Sequence, residues 1–264
     1  MVIKRVSVTN CDLNVVDVGS GKPLLLVHGF PLDHTMWRGQ IDGLSSTYRV
    51  IAPDLRGFGQ SNVTSGTVTM KQFADDLAEM LDELKIDAPI AFCGLSMGGY
   101  IAWQFVQRHA SRLSHLILCD TRAIADSEEG ARDRLAFADR VLSDGAGAIA
   151  DAMMPRLFAK STNESNRHIV DATREVMLAT NPEGIAAALR GMAQREDVTD
   201  RIASIDVLTL VICGEFDAIS PPAEMRGIAK AIRNSRYVEI AGAGHMAPLE
   251  NPVVVNEAIR QCLG

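Results

Sequence analysis

Hydrophobic and polar positions follow two different periods along this chain. Residues 5–9 and 13–18 largely alternate apolar with polar, the period of a half-buried strand, and Gly19-Ser20-Gly21 turns the chain after the second of them. Residues 23–27, 48–52, 88–93, 113–119 and 207–213 are instead short apolar runs, the pattern of strands buried on both faces, and 236–240 reads as a further strand. Between these runs the period becomes helical. Over 70–85, Phe73, Leu77, Met80, Leu81 and Leu84 fall on one stripe, with Asp75, Asp76, Glu79, Asp82 and Glu83 off it. Helical patterns also follow the 88–93 run, to about His109, and cover 222–233 and 252–263. Residues 121–200 break the rhythm. They contain no clear strand and read as about four helices, interrupted at Gly145-Ala146-Gly147, Ser161-Thr162-Asn163 and Asn181-Pro182.

Strands alternating with helices predict an α/β fold, a mostly parallel sheet with helices on both faces. Residues 1–120 and 201–264 form that core, and 121–200 is an all-helical insertion between the sixth and seventh strands. An insertion there lies over the carboxyl ends of the strands, where such sheets bind ligands. It is expected to act as a lid.

Composition narrows the function class. The 264 residues suffice for one large α/β domain, and 47% hydrophobic with 22% charged is ordinary for a globular protein. A net charge of −7 with no basic cluster argues against nucleic acid and against anionic membrane surfaces as partners. The five cysteines, Cys11, Cys93, Cys119, Cys213 and Cys262, show neither a metal spacing nor a disulfide framework. The first residues lack the apolar stretch of a signal peptide, and no run approaches a membrane span. A soluble cytoplasmic protein is expected.

The strand ends carry the candidate chemistry. Residues 93–103 read CGLSMGGYIAW: an apolar strand reaches Ser96, flanked by Gly94, Gly98 and Gly99, and continues as a helix. This G-x-S-x-G pattern fits a nucleophile elbow, with a helix N-cap serine as the plainer alternative. A serine nucleophile needs a base, an acid that orients the base, and donors for an oxyanion. Asp217 follows the 207–213 strand in a proline-closed loop, and His245 follows the 236–240 strand after Gly242 and Gly244. Ser96, Asp217 and His245 thus stand in the order nucleophile, acid, base, each at its own strand end. The backbone N–H groups of Phe30, after His28-Gly29, and of Met97, after the serine, are the candidate oxyanion donors; Pro31 has none to offer. His28 reads as a structural brace for its loop. Asp120, at the end of the 113–119 strand, is the alternative acid.

The motifs HGFPLDHTMW, DLRGFGQS, GLSMGG, GEFDAISPP and GAGHMAPLENP, in this order, resemble those of the α/β-hydrolase superfamily. The resemblance covers nearly the whole chain, with 121–200 the least recognisable part. It implies an eight-stranded, mostly parallel sheet with the second strand antiparallel, a cap over 121–200, and structural roles for Arg56, Gly57 and Gly59. Serine at position 96 disfavours the members with an aspartate nucleophile. The chain looks most like small bacterial carboxylesterases and 3-oxoadipate enol-lactonases, and cofactor-free haloperoxidases (perhydrolases) share much of the pattern. The implied activity is hydrolysis of a small carboxylic ester or lactone through an acyl-enzyme, without metal or organic cofactor. A ligand receptor on the same fold that turns over slowly or not at all is the competing class. Leu32 and Met246, following the loop and the histidine, and Met153, Leu157 and Phe158 in the insertion are the candidates for the substrate pocket. Oligomeric state is not legible in the sequence.

Overall fold

Strand residues that alternate between two apolar faces explain the continuous runs. Leu25 and Val27 pack into a core on one side of the sheet, and Leu24 and Leu26 into a core on the other. The same alternation recurs later, with Val211 and Cys213 on the first face and Leu210 and Ile212 on the second. The computed structural model describes residues 2–264. Its strands are β1 (Ile3–Val8), β2 (Cys11–Val18), β3 (Pro23–Val27), β4 (Arg49–Pro53), β5 (Ile90–Leu95), β6 (Leu113–Cys119), β7 (Leu208–Gly214) and β8 (Ser235–Ile240). They form one eight-stranded sheet in the order β1-β2-β4-β3-β5-β6-β7-β8. β2 runs antiparallel to both its neighbours, and the pairs from β4 to β8 are parallel.

The helices are α1 (Arg38–Leu44), α2 (Met70–Glu83), α3 (Met97–Arg108), α4 (Glu128–Asp144), α5 (Gly147–Leu157), α6 (Lys160–Ser165), α7 (Arg167–Ala179), α8 (Pro182–Ala193), α9 (Pro222–Ala231), α10 (Ala247–Glu250) and α11 (Pro252–Leu263). Helices α2 and α3 pack together against the first face, and α1 packs on α11 over the second. None is long and apolar enough to cross a membrane among the described residues.

The region 121–200 holds five helices rather than about four. Ser161-Thr162-Asn163 is not a break but lies within α6, and α6 and α7 meet at Asn166. The other two interruptions stand. Gly145, at φ +82°, ends α4, and Asn181 caps α8 by accepting from the Glu183 N–H, with Pro182 in the first turn. Short α1 and α10 carry too few turns to give a periodic signal.

The five-helix insertion meets the rest of the chain through backbone contacts that only glycine permits. A Cβ on Gly184 of α8 would lie 2.0 Å from the Gly57 carbonyl oxygen, and one on Gly191 would lie 1.8 Å from that of Val68. Alanine is the better helix former by up to about 1 kcal/mol, yet at Gly184 it must push two backbones apart. Gly184→Ala is therefore expected to lower stability by about 1–3 kcal/mol, the usual cost of overpacking, seen as a lower urea midpoint at unchanged slope. A variant more stable than the parent would show that this contact is loose.

Candidate active site

β5 ends in an abrupt bend. Ser96 sits between β5 and α3 at φ +53°, ψ −110°, a conformation that side-chain-bearing residues rarely adopt. The flanking glycines let the backbones close around it: a Cβ at Gly94 would lie 2.4 Å from the Gly98 carbonyl oxygen, and one at Gly98 would lie 2.3 Å from that of Val27. Backbone bonds hold the bend, from Ser96 N–H to the Cys119 carbonyl (3.0 Å) and from Thr121 Oγ1 to the Ser96 carbonyl (2.8 Å). The Ser96 hydroxyl does not cap the helix. Ser96 itself is partly exposed at the bend.

The two other predicted residues meet. The Asp217 carboxylate accepts from the His245 ring, Nδ1 to Oδ2, at 2.9 Å, with Asp217 4% and His245 2% exposed. Asp217 Oδ1 accepts in addition from the N–H groups of Ile219 (2.7 Å) and Ser220 (3.0 Å). Burial pushes the Asp217 carboxyl up, but the His245 hydrogen bond and charge and these two N–H groups outweigh it and hold it below its ordinary value. An ionised carboxylate only accepts, so this hydrogen bond takes its proton from His245 Nδ1. Ser96 and His245 line the same cavity, but the Ser96 hydroxyl is not hydrogen-bonded to His245 Nε2. Such links are often long until substrate binds.

Glu250 had no predicted role and braces the histidine loop. Its carboxylate accepts from Gly244 N–H (2.7 Å), from Ala159 N–H (2.9 Å) and from the Thr162 hydroxyl, tying the loop before His245 to the insertion. Only the end of the APLENP stretch hinted at it. His28 is a brace, as expected. Its Nε2 accepts from the Leu55 N–H at 2.9 Å, which leaves Nδ1 to donate to the Gly29 carbonyl at 2.9 Å. Complete burial lowers its pKa and keeps the ring neutral. The loop it supports carries Phe30. Neither the Phe30 nor the Met97 N–H has an acceptor outside regular secondary structure among the described residues, and Met97 begins α3, where the helix dipole favours an anion.

The cavity at Ser96 and His245 has a volume of about 600 Å³. Phe30, Tyr100 and Ile219 line it from the sheet side, and Phe137, Met153 and Leu189 from the insertion. Of the predicted pocket residues, Met153 is there. Leu32, Met246, Leu157 and Phe158 are not among the lining residues. Leu157 and Phe158 end α5 and turn into the buried core with Met246, whose N–H donates to the Leu157 carbonyl at 3.2 Å. Leu32 lines a separate groove beside α7. Helical periodicity marks buried residues without saying which face a cavity.

Asp120, the alternative acid, is buried at the end of β6 and makes no hydrogen bond to His245. Its Oδ1 accepts from Gly214 N–H at 2.7 Å. Two groups of side chains are close enough to share a cation, Asp33 with His34 and Asp54, and Asp120 with Cys213 and Asp217. In the first, Asp54 is already filled by His34, Gln60 and Asn14. In the second, Asp217 is engaged by His245.

The chain belongs to the α/β-hydrolase fold family, whose model matches residues 22–252. The curated relatives include 3-oxoadipate enol-lactonase 1 of Acinetobacter baylyi, 30% identical over 83% of this chain and 80% of its own length. Among solved structures, a thermophilic esterase from Thermogutta terrifontis with malate bound is 46% identical, covering 98% of this chain and 96% of its own, with a TM-score of 0.95. The enol-lactonase from Burkholderia xenovorans is 31% identical, covers 98% and 99%, and has a TM-score of 0.91. The chain is an α/β hydrolase whose similar proteins include esterases and enol-lactonases.

Proposed function

We propose that the protein hydrolyses a small carboxylic ester or lactone through an acyl-enzyme on Ser96. As Ser96 Oγ attacks the carbonyl carbon, His245 Nε2 takes its proton. Asp217 fixes the imidazole tautomer and stabilises the imidazolium. The N–H groups of Phe30 and Met97 receive the developing oxyanion. His245 then protonates the leaving alkoxide, and in the second half takes a proton from the water that releases the acid. For a lactone the leaving group stays tethered, and a single hydroxy acid leaves. Helices α4–α8 act as a cap that walls the cavity on the solvent side. The observation that carries this proposal is the buried His245–Asp217 pair opening onto the same cavity as the strained Ser96 bend. The names of the similar esterases and enol-lactonases support the ester or lactone substrate.

Bulky Phe30, Tyr100, Phe137 and Met153 line the cavity that holds Ser96 and His245, and the proposal takes the acyl group to be small. Each added methylene contributes about 0.8 kcal/mol only where space exists to bury it. Across p-nitrophenyl esters from acetate to decanoate, kcat/KM is expected to peak at a short chain and then fall, with multiple turnovers on acetate. A steady climb to decanoate contradicts the small substrate. A single stoichiometric burst would mark a receptor instead of an enzyme.

A further inference from the structure

The proposed mechanism uses one of two carboxyl groups that the fold buries together. Asp120 follows β6 directly, with its backbone in the left-handed region at φ +46°, unusual for a residue other than glycine. Its backbone is tied on both sides, by its N–H to the Ile212 carbonyl (3.0 Å) and by the Ser220 hydroxyl to its own carbonyl (3.1 Å). The side chain has no solvent exposure and accepts one hydrogen bond, from Gly214 N–H to Oδ1. Oδ2 meets no donor among the described residues. A carboxyl oxygen of Asp120, one of Asp217 and the Cys213 Sγ lie within 4.8 Å of one another.

Two carboxyl groups can share a hydrogen bond only if one holds a proton, and in a buried site two adjacent anions repel strongly. The distribution of donors decides where the proton sits. Asp217 accepts from Ile219 N–H, Ser220 N–H and His245, whereas Asp120 accepts from one N–H. The anion belongs where the donors are. Burial first, and then the charge of Asp217, push the Asp120 carboxyl well above the ordinary carboxylate range. The other titratable groups against this pair are thiols pushed up in turn, Cys119 by its contact with Cys93 and by burial, and Cys213 chiefly by burial.

We propose that Asp120 is a proton-carrying positioning residue, a neutral carboxylic acid that donates its O–H to the Asp217 carboxylate and so fixes the anion that orients His245. The inference rests on the Ser96–His245–Asp217 mechanism above. The donated hydrogen bond locks the Asp217 carboxylate against rotation away from the imidazole. It also draws charge from Asp217, which weakens its hold on the imidazolium proton. The Asp120 proton stays in place throughout the cycle.

Two measurements test this. Asp120→Asn keeps an acceptor for Gly214 N–H and an N–H donor, and asparagine tolerates the left-handed backbone. The infrared difference between the parent protein and Asp120→Asn at pH 7 is expected to contain the C=O stretch of a protonated carboxylic acid. A difference showing only a carboxylate overturns the proposal. In the second measurement, Asp120→Ala, which removes the donor, is expected to lower kcat by about 10–100-fold, as for a lost hydrogen bond to a charged group. KM stays within about twofold, because neither aspartate lines the cavity. Asp120→Asn recovers most of that loss. The acid limb of the kcat/KM profile moves to higher pH in Asp120→Ala, since Asp217 without its donor holds the imidazolium proton more tightly. An ionised Asp120 gives the opposite sign, a limb moving to lower pH in both variants, and that result overturns the proposal. Asp217→Asn measured alongside separates the two claims. If it is crippled while the Asp120 variants behave otherwise than stated, only the Asp120 role falls; if it is as active as the parent, the triad falls and this inference with it.

Discussion

Ser96→Ala is expected to lower kcat on p-nitrophenyl acetate by roughly 10³–10⁶-fold, the range seen when a serine nucleophile is removed. The fold should survive. The bonds that hold the bend, to the Cys119 carbonyl and from Thr121 Oγ1, are made by the Ser96 backbone and persist in alanine. Alanine also keeps the Cβ, so the strain at φ +53° is neither added nor relieved, and stability should stay within about 1 kcal/mol of the parent. Loss of activity with an unchanged urea midpoint is therefore a catalytic effect. A variant that retains most of its turnover would remove Ser96 from the chemistry.

Asp217→Asn should cost about 10²–10⁴-fold in kcat. The loss comes from the imidazole rather than from the fold. Asparagine can present its NH₂ to His245 Nδ1, which then carries a lone pair, and the proton moves to Nε2, where no base remains to face Ser96. The anion that stabilises the imidazolium is lost in the same change. The two N–H groups of Ile219 and Ser220 still have an oxygen to meet, so the loop should hold its shape. Asp120→Asn must be far milder than this. The reverse ranking would place the catalytic acid at the end of β6.

Much of this was legible in the sequence, for identifiable reasons. Strands buried on both faces leave continuous apolar runs, so β3, β5, β6 and β7 were readable with small shifts at their ends. Ser96 and Asp217 stood out as candidates because each follows such a run in a loop rich in glycine or proline, and His245 because its loop carries Gly242 and Gly244; the structure brings Asp217 and His245 to 2.9 Å. Helix α6 was missed because Ser161, Thr162 and Asn163 have turn-like composition. Their side chains serve the helix end and the histidine loop instead, as when Thr162 donates to Glu250. The cavity lining was largely hidden. Leu157 and Met153 share α5 and an apolar character, yet one faces the core and the other the cavity. The partnership of Asp120 with Asp217 was hidden too. It depends on two neighbouring strand ends, β6 and β7, which are far apart in sequence.

The nucleophile is the centre of the account, and covalent labelling tests it most directly. A fluorophosphonate added in slight excess to the parent protein should raise the intact mass by one adduct. Peptide mapping should place that adduct on Ser96, and Ser96→Ala should remain unlabelled under the same conditions. An adduct on another residue, or equal labelling of Ser96→Ala, would contradict the account.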